Sequence, residues 1–443
     1  MRWTWLRGGV VCAALLTGRA ASASNPTDDA VAIAPEESTA LRVRLKGRLQ
    51  IDAFTFNRRS GQMPSDTFFL KRARIEALGM MGPVFGFYLA GDFAAAVPTG
   101  GLTPQTFLST TDDYIFLRPF GNLAILQIGQ YDAPLTFENR TSDIALDFME
   151  RSLTVRAFAI PANKELGAMV HGITDNQLFY YALGLFNGGG INMRNVDADL
   201  DLIGRIFFTP LALTDLPYLH EASVGISGRH GERNPLLGLP LANQTTQGNF
   251  VFLNSAFAGR GLFEANNLTV VAAELHLPVT HSGGVRAEFV RKDQGLSAAS
   301  VGATQLTLLS SGELSGNSFY VEAWYWILGD DTILDIAGRE LPPLVLRITN
   351  DTPRHGLMIV ARCETLSETI TLQQPVAGAP VGFTSVDSYE VGLNYWYAKN
   401  FRLTANYAVN HMTGTSQAEG NAIAANGGST WEQEWLFRIA FAY

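Results

Sequence analysis

Cysteine is nearly absent from this chain of 443 residues, which contains only Cys12 and Cys363. Cys12 falls in an N-terminal segment that we expect to be removed, so the mature chain holds one cysteine and forms no internal disulfide. Long apolar runs are also missing. After the N-terminus no stretch offers about 18 uninterrupted apolar residues, which excludes helical membrane spans. A closed sheet of paired strands could supply rigidity without either device.

Lysine and histidine are scarce, with five lysines and seven histidines in the whole chain. The histidines are scattered, and no G-x-S-x-G sequence supports a serine hydrolase. His276 and His281 are the nearest pair, but no carboxylate or cysteine cluster accompanies them to complete a metal site. We therefore predict a protein that is not an enzyme, with no catalytic residues, no metal, no cofactor and no nucleic-acid partner.

The N-terminus has the pattern of a secretory signal. Arg2 and Arg7 precede a short apolar run at 8–18, and the small residues 21–23 suit cleavage before Ser24. We expect residues 1–23 to be a cleaved signal peptide. Their removal takes away Arg19 as well and makes the net charge of −9 more negative.

Apolar residues make up 47% of the chain, and the mean hydropathy is +0.08, yet they are diluted one by one with polar residues. In 43–53 the odd positions are apolar or small and the even positions are polar. In 431–443 the aromatic residues also fall on alternate positions. This period of two gives a strand one face for lipid and one for water, as in a transmembrane β-barrel.

The same alternation along the chain predicts an all-β fold, a transmembrane antiparallel barrel of sixteen strands. The expected strands are 42–54, 68–79, 84–94, 112–118, 123–130, 165–173, 178–186, 198–208, 219–229, 267–278, 284–292, 317–328, 355–366, 386–397, 400–411 and 431–443. A weak strand near 250–258 would spoil the even number, and we place it in a loop. A soluble β-sandwich or propeller is the alternative, but it fits the signal peptide and missing disulfides less well.

Connections alternate between short turns, such as 79–83 and 174–177, and long loops. The expected long loops are 94–111, 131–164, 230–266, 293–316, 367–385 and 412–430, with 329–354 as a long exception on the short-turn side. This asymmetry is typical of outer-membrane barrels, whose periplasmic turns are short. We therefore expect a short periplasmic tail at 24–41 and a barrel at 42–443, in the outer membrane of a Gram-negative bacterium.

Several segments resemble the phosphate-selective porin O and P family. They include GRLQIDAFTF (47–56), FFLKRARIEALG (68–79), IGQYDAPLTFE (128–138) and DFMERSL (147–153). Similar segments continue to LTANY at 403–407. The GQ-x-x-x-P sequence followed by FMER is the most specific of these, and the resemblance runs from about residue 41 to the C-terminus.

The resemblance implies a sixteen-stranded homotrimeric barrel whose long loops fold into the lumen and narrow it. It also implies passive, saturable uptake of small anions such as phosphate, selected by arginines along the path and lysines at the constriction. The implied surroundings are the lipid bilayer and lipopolysaccharide. The terminal aromatic strand resembles the signal read by the outer-membrane assembly machinery.

An anion path needs fixed cations where water is scarce, and arginine suits phosphate because its planar fork donates two parallel hydrogen bonds. We expect loop 131–164 to form the constriction. The candidate pore-lining cations share lumenal parity or lie in that loop: Arg44, Lys46, Arg48, Arg72, Arg74, Arg140, Arg151, Arg156, Lys164, Arg286, Arg362, Arg402 and Arg438.

Carboxylates on the same parity leave a second interpretation open, in which these arginines form ordinary ion pairs. They are Asp52, Glu76, Asp92, Glu288, Glu364 and Glu390. We expect Glu150 and Arg151 to form a structural ion pair that pins the loop to the wall.

Family members commonly carry a basic residue two places before the proline of GQ-x-x-x-P, where this chain has Asp132. We expect this acid to modulate the constriction and to weaken phosphate selectivity. A general or weakly selective porin is therefore the alternative function. A barrel enzyme or adhesin is less favoured, since the long loops have few aromatic anchors.

Overall fold

The computed structural model of the chain describes residues 40–57, 66–94, 109–195, 199–216, 218–235, 239–301, 306–330, 355–398 and 400–442. The predicted signal peptide, nearly all of the predicted tail, most of the 329–354 connection and Tyr443 lie outside these residues. Across the described residues, no helix combines the length and apolar character that crossing a membrane would require.

Sixteen of the strands form one closed antiparallel barrel, which confirms the predicted fold. In the first half each strand pairs with the next along the chain. These strands are β1 (Leu41–Phe56), β2 (Thr67–Met81), β3 (Phe85–Asp92), β4 (Ser109–Leu117), β5 (Ile125–Asp132), β6 (Lys164–Ile173), β7 (Phe179–Phe186), β8 (Asp201–Phe208) and β9 (Ser223–Arg233).

The second half begins with three short pieces, β10 (Gln244–Thr245), β11 (Val251–Leu253) and β12 (Ala256–Phe257). β10 and β11 pair only with each other, and β12 folds back on β13. The remaining barrel strands are β13 (Arg260–Thr280), β14 (Gly283–Val301), β15 (Leu306–Leu328), β16 (His355–Leu372), β17 (Gly382–Tyr397), β18 (Phe401–Gly414) and β19 (Trp431–Ala442).

Two strand pairings close the barrel. β9 pairs with β13, so the short pieces stand outside the ring, as we predicted for 250–258. β19 pairs with β1 over nine positions, including Leu49 opposite Phe441 and Asp52 opposite Arg438. No barrel edge is left open along this seam, which satisfies the backbone groups that lipid cannot solvate.

Side-chain orientation follows the alternation read from the sequence. Leu49 and Phe437 are 43% and 44% exposed on the outside, whereas Gln50 and Arg438 are buried inside. The outer surface is therefore apolar, because successive residues of a strand point to opposite faces. The inner face carries the polar positions together with buried apolar residues such as Met80 and Phe116.

One predicted loop was wrong. We expected 293–316 to be a long loop, but β14 continues to Val301 and β15 begins at Leu306, with Ser297 opposite Ser311. The segment is rich in Ser, Ala, Gly and Gln, which have little preference for strands in isolation, and pairing between neighbouring strands overrides that preference. For the same reason β13 and β16 extend beyond their predicted ends.

Three helices lie in the long connections: α1 (Phe137–Arg140), α2 (Leu153–Phe158) and α3 (Gln417–Ala425). Single 3₁₀ turns occupy 161–163 and 219–221. α1 and α2 belong to residues 133–163, here called the inner loop, which are almost entirely buried within the barrel. Residues 239–259, here called the lumen hairpin, contain β10 to β12.

Candidate functional site

The inner loop leaves the wall at the GQ-x-x-x-P segment. Gly129 has φ of +138°, and a Cβ there would lie 2.2 Å from the carbonyl oxygen of Asp113, so only glycine fits this step in β5. Thr136 and Ser152 then cap α1 and α2 by accepting hydrogen bonds from the amides of Asn139 and Val155. These local signals shape the loop before it meets the opposite wall.

Glu138 organises the centre of the inner loop. Its carboxylate accepts hydrogen bonds from the amide and hydroxyl of Ser152, at 2.8 and 2.6 Å, and pairs with Arg362 of β16 at 3.1 Å. The backbone amide of Glu138 donates to Glu288 of β14 at 2.9 Å. One residue therefore joins the two helices of the loop to each other and to the far wall, formed by β14 to β19.

Asp143 fastens the inner loop to the near wall, formed by β1 to β5. Its carboxylate pairs with Arg72 at 2.5 Å, with Arg74 at 3.4 Å and with Arg48. Arg48 and Arg74 also pair with wall carboxylates, at 2.5 Å to Glu76 and 2.8 Å to Asp92. The sequence predicted these three arginines to face the lumen, but it did not single out the acid that brings them together.

Glu150 and Arg151 do hold the loop in place, but the predicted pair between them was wrong. Glu150 pairs with Lys71 at 2.6 Å and with Arg438 at 3.0 Å, both on the wall. Arg151 donates instead to the carbonyl oxygens of Glu138 and Thr141 within the loop, at 2.9 and 2.6 Å. The two charged side chains therefore bind different partners.

Three further predicted arginines meet the loop from the far wall. Arg286 pairs with Asp147 at 2.9 Å and with Glu322 at 2.8 Å. Arg402 donates to the carbonyl oxygen of Leu146 at 2.7 Å. With Arg362 they are buried against the loop and stack on aromatic rings, at 4.3 Å for Arg362 over Phe148. These contacts position the loop, and a role in the ion path stays a prediction.

Asp132 lies at the end of β5, where the loop departs. Lys164, at the start of β6, pairs with Asp132 at 2.8 Å and with Asp112 at 2.6 Å. Arg140 donates to the backbone carbonyl of Asp132. The predicted modulator is therefore already paired with the nearest predicted lysine, and the Lys164 site holds two acids for one lysine.

The remaining predicted cations lie at the margins of the site. Arg156 of α2 donates to the carbonyl of Thr246 and the hydroxyl of Thr245 in the lumen hairpin, at 2.7 and 2.6 Å. Arg44 and Lys46 lie on the inner face of β1, with Lys46 opposite Glu76 in the strand register. The thirteen predicted cations are thus divided between near wall, loop and far wall.

Exposure separates the near wall from the far wall. Of the Lys71 side chain 20% is exposed, and Asp132 reaches 21%, whereas the Arg362 side chain is fully covered. The lumen-facing arginines of the near wall are also in partial contact with solvent: Arg48, Arg72 and Arg74. Water therefore reaches the space between β1–β5 and the inner loop more readily than the far side.

Sequence reasoning passed over Lys71 because its position breaks the alternation. The pairing of β1 with β2 shifts register between Gln50 and Ile51, and this bulge turns Lys71 toward Glu150. Lys292, on the inner face of β14 and 8% exposed, was also not singled out. A bulge depends on pairing between strands, so a pattern in one strand does not reveal it.

The two loop acids on the near wall are held in their charged form. Burial alone would raise the pKa of Asp143, but Arg48, Arg72 and Arg74 hold it well below its ordinary value. Burial also opposes ionisation of Glu150, while Lys71 and Arg438 lower its pKa. The inner loop thus carries two fixed negative charges that neutralise part of the basic near wall.

Among the described residues no group of His, Cys, Asp and Glu could hold a metal ion.

Comparison with known proteins agrees with this architecture. Residues 43–220 match the family described as phosphate-selective porin O and P, which confirms the resemblance read from the sequence over that part of the chain. No curated protein sequence matches the chain. The family match and the lipid-facing barrel indicate an outer-membrane porin of a Gram-negative bacterium, a channel rather than an enzyme.

Several solved structures share the fold at low sequence identity. In-vitro folded OmpT of Vibrio cholerae, in a trimer form, is 10% identical with a TM-score of 0.51, and the match covers 91% of this chain and 100% of that one. The outer membrane channel DcaP of Acinetobacter baumannii is 11% identical with a TM-score of 0.52, and the match covers 93% of this chain and 100% of that one. OmpF of Salmonella typhi, in complex with daunomycin, is 11% identical with a TM-score of 0.53, and the match covers 90% of this chain and 97% of that one.

Proposed function

We propose that this outer-membrane porin lets small anions diffuse passively, with a modest preference for phosphate and related oxyanions. The observation that carries the proposal is the group of partly exposed cations on the near wall, Arg48, Lys71, Arg72 and Arg74, beside the inner loop. Cations fixed in a narrow, water-filled space raise the local concentration of anions.

Arginine geometry favours oxyanions over simple halides. Arg72 and Arg74 lie two residues apart on β2, and the same Asp143 carboxylate holds both. A passing phosphate presents the same kind of oxygen acceptor as that carboxylate, and can share the guanidinium donors while it moves past. Asp143 occupies part of this donor capacity at all times, so the preference is modest.

A general, weakly selective porin is the second candidate. The observation that favours it is the pairing itself: each of the four near-wall cations lies within ion-pair distance of a carboxylate. Asp112 and Asp132 also face the same space and outnumber Lys164. If these acids dominate the local field, the channel discriminates little between anions and cations.

The assembly proposed for this porin is a homotrimer embedded in lipid and lipopolysaccharide, inserted by the outer-membrane assembly machinery. Support comes from the apolar outer surface of the barrel and from the trimer form in which the similar OmpT of Vibrio cholerae was solved. The sequence resemblance implies the same assembly.

Electrical recording in planar bilayers tests the function. The reversal potential of the native channel in a KCl gradient should indicate a modest anion preference, and added phosphate should reduce the chloride current. Arg74→Gln should lower both effects. Arg291→Gln removes an exposed cation on the outer face of β14, and it should change neither the anion preference nor the phosphate effect.

The outcomes separate the two candidates. A reversal potential near zero, with no effect of phosphate, would favour the general porin. A barrel that inserts but conducts no ions would refute both.

A further inference from the structure

The lumen hairpin lies in an unusually neutral stretch of the chain. Residues 234–259 contain no charged residue, and Arg233 and Arg260 flank them. The tip of the hairpin nevertheless reaches deep into the charged lumen, and Gln244, Thr246, Gln247 and Gly248 are all buried. A neutral segment that covers charged wall residues needs a physical explanation, because removing those charges from water without a counter-charge is costly.

The hairpin tip covers carboxylates of the far wall. Gln247 donates to both oxygens of Glu390 on β17, at 2.7 and 2.6 Å. The amide of Gly248 donates to Glu434 on β19 at 2.9 Å, and the hydroxyl of Thr246 donates to the same carboxylate. Gln244 donates to Glu368 on β16 at 2.8 Å. The contacts of the tip with these acids thus use neutral donors.

The covered wall is rich in acid. In the long-loop half of β16 to β19, the inner face carries Glu364, Glu368, Glu390, Glu432 and Glu434, and all are buried. Arg362 of β16 pairs with Glu364 and Glu390. Among the described residues, no cation lies within ion-pair distance of Glu368 or Glu434. The hairpin tip covers Glu368, Glu390 and Glu434, whereas the inner loop covers Glu364, to which the Leu153 amide donates at 2.6 Å.

The contact between hairpin and wall is also incompletely satisfied. Within the described part of the chain, Gln244 Oε1, Gln247 Oε1 and Glu368 Oε1 are buried with no hydrogen-bond donor. The inner loop differs, because arginines fasten it to both walls through ion pairs. Unpaired buried acceptors regain hydrogen bonds when water enters. Because neutral hydrogen bonds hold the hairpin tip to the wall and ion pairs hold the inner loop, we expect the hairpin to be displaced more easily than the inner loop.

We propose that the lumen hairpin determines the ion selectivity of the pore by masking the acidic far wall, so that displacing its tip makes the channel favour cations. The inference rests on the proposed porin function. With the tip in place, the near-wall cations set the field. With the tip withdrawn, Glu368, Glu390 and Glu434 face the same water and attract cations. Arg156 of the inner loop, which donates to Thr245 and Thr246, helps hold the tip in place.

The test compares reversal potentials in a KCl gradient for the full-length, refolded channel. Thr246→Val with Gln247→Leu removes the side-chain donors to Glu434 and Glu390 while keeping similar size. A second variant replaces residues 244–252 by two glycines. Both should raise the cation-to-anion permeability ratio, by about tenfold where one sign of charge comes to line the pore.

Neutralising the hidden acids tests the mask itself. Glu390→Gln with Glu434→Gln should leave the ratio of the native channel within about twofold, but should abolish the increase when combined with either hairpin variant, because only exposed charge acts on passing ions. Asp387→Asn neutralises an acid on the opposite face of β17 and is the matched control. It should have no effect in any background.

Three results would overturn the proposal. The first is a permeability ratio that stays unchanged in both hairpin variants. The second is a rise of the same size with and without Glu390 and Glu434. The third is a change of the native ratio, on neutralising these two acids, as large as the change in the hairpin variants. A native channel that fails to conduct at all would instead contradict the proposed porin function.

Discussion

Asp143 is the residue whose loss should change the constriction most. Asp143→Asn removes the carboxylate that Arg48, Arg72 and Arg74 share, while preserving the size of the side chain. Arg48 and Arg74 keep Glu76 and Asp92 as partners. Breaking a buried ion pair typically costs 3–5 kcal/mol, and we expect about 3 kcal/mol here because two of the three arginines remain paired.

The same substitution should strengthen anion preference. A unit charge acts on an ion about 4 Å away with roughly 1 kcal/mol in a water-like medium. Removing that charge from Asp143 should therefore raise the local anion concentration about fivefold, since 1.4 kcal/mol corresponds to a factor of ten. The reversal potential should shift toward the anion value, and urea unfolding of the refolded barrel should show the lower stability.

The pH dependence follows from the pKa of Asp143, which its arginine partners hold well below the ordinary value although burial opposes this. A carboxyl group with a lowered folded pKa stabilises the folded state above its unfolded pKa of about 3.9. That contribution is lost only as pH falls through the lower folded value. The selectivity contributed by Asp143 should thus be constant between pH 8 and about 5.

Asp175→Asn is the control for this prediction, because Asp175 lies exposed in a short turn. It should change neither stability nor selectivity. If Asp143→Asn behaves like this control in both assays, the inner loop does not depend on Asp143 and the assignment of the near wall as the ion path loses its basis.

The remaining predictions concern the register, the closure and the predicted modulator. A membrane-impermeant thiol reagent should label a cysteine at Arg48 but not one at Leu49, in a Cys363→Ser background, and Leu49→Arg should cost roughly 2–4 kcal/mol if residue 49 lies near the bilayer midplane; equal labelling would reverse the register. Deleting 441–443 should abolish heat-modifiable barrel in the membrane fraction, since β19 closes the sheet against β1, and normal insertion would disprove this. Asp132→Lys, beside Lys164, should raise anion preference and phosphate block; an unchanged reversal potential would place the constriction elsewhere.

The barrel itself was predictable because its signal is local. An alternation such as Leu49, Gln50 and Ile51 fixes which side chains meet lipid, and each strand carries its own copy of that information. The ends of β14 and β15 were missed because small polar residues give no such signal, and only the partner strand defines where pairing stops.

The site was predictable in part. The parity of Arg72 and Arg74 placed them on the lumen wall, and the long loop at 131–164 was expected to narrow the lumen. Asp143 was not foreseen, since its link to Arg48 joins residues 95 positions apart in sequence. The neutral stretch at 234–259 was visible, but its contact with Glu434 depends on a fold across the whole barrel.

Chemical modification at Arg74 tests most directly whether ions pass along the near wall beside the inner loop. In a Cys363→Ser background, Arg74→Cys is recorded as a single channel while a small anionic thiol reagent is added. Arg205→Cys is the matched control, because Arg205 is buried and paired with Glu274. We predict stepwise loss of anion current at position 74 and no steps at position 205. Steps at 205 with none at 74 would contradict the proposed path.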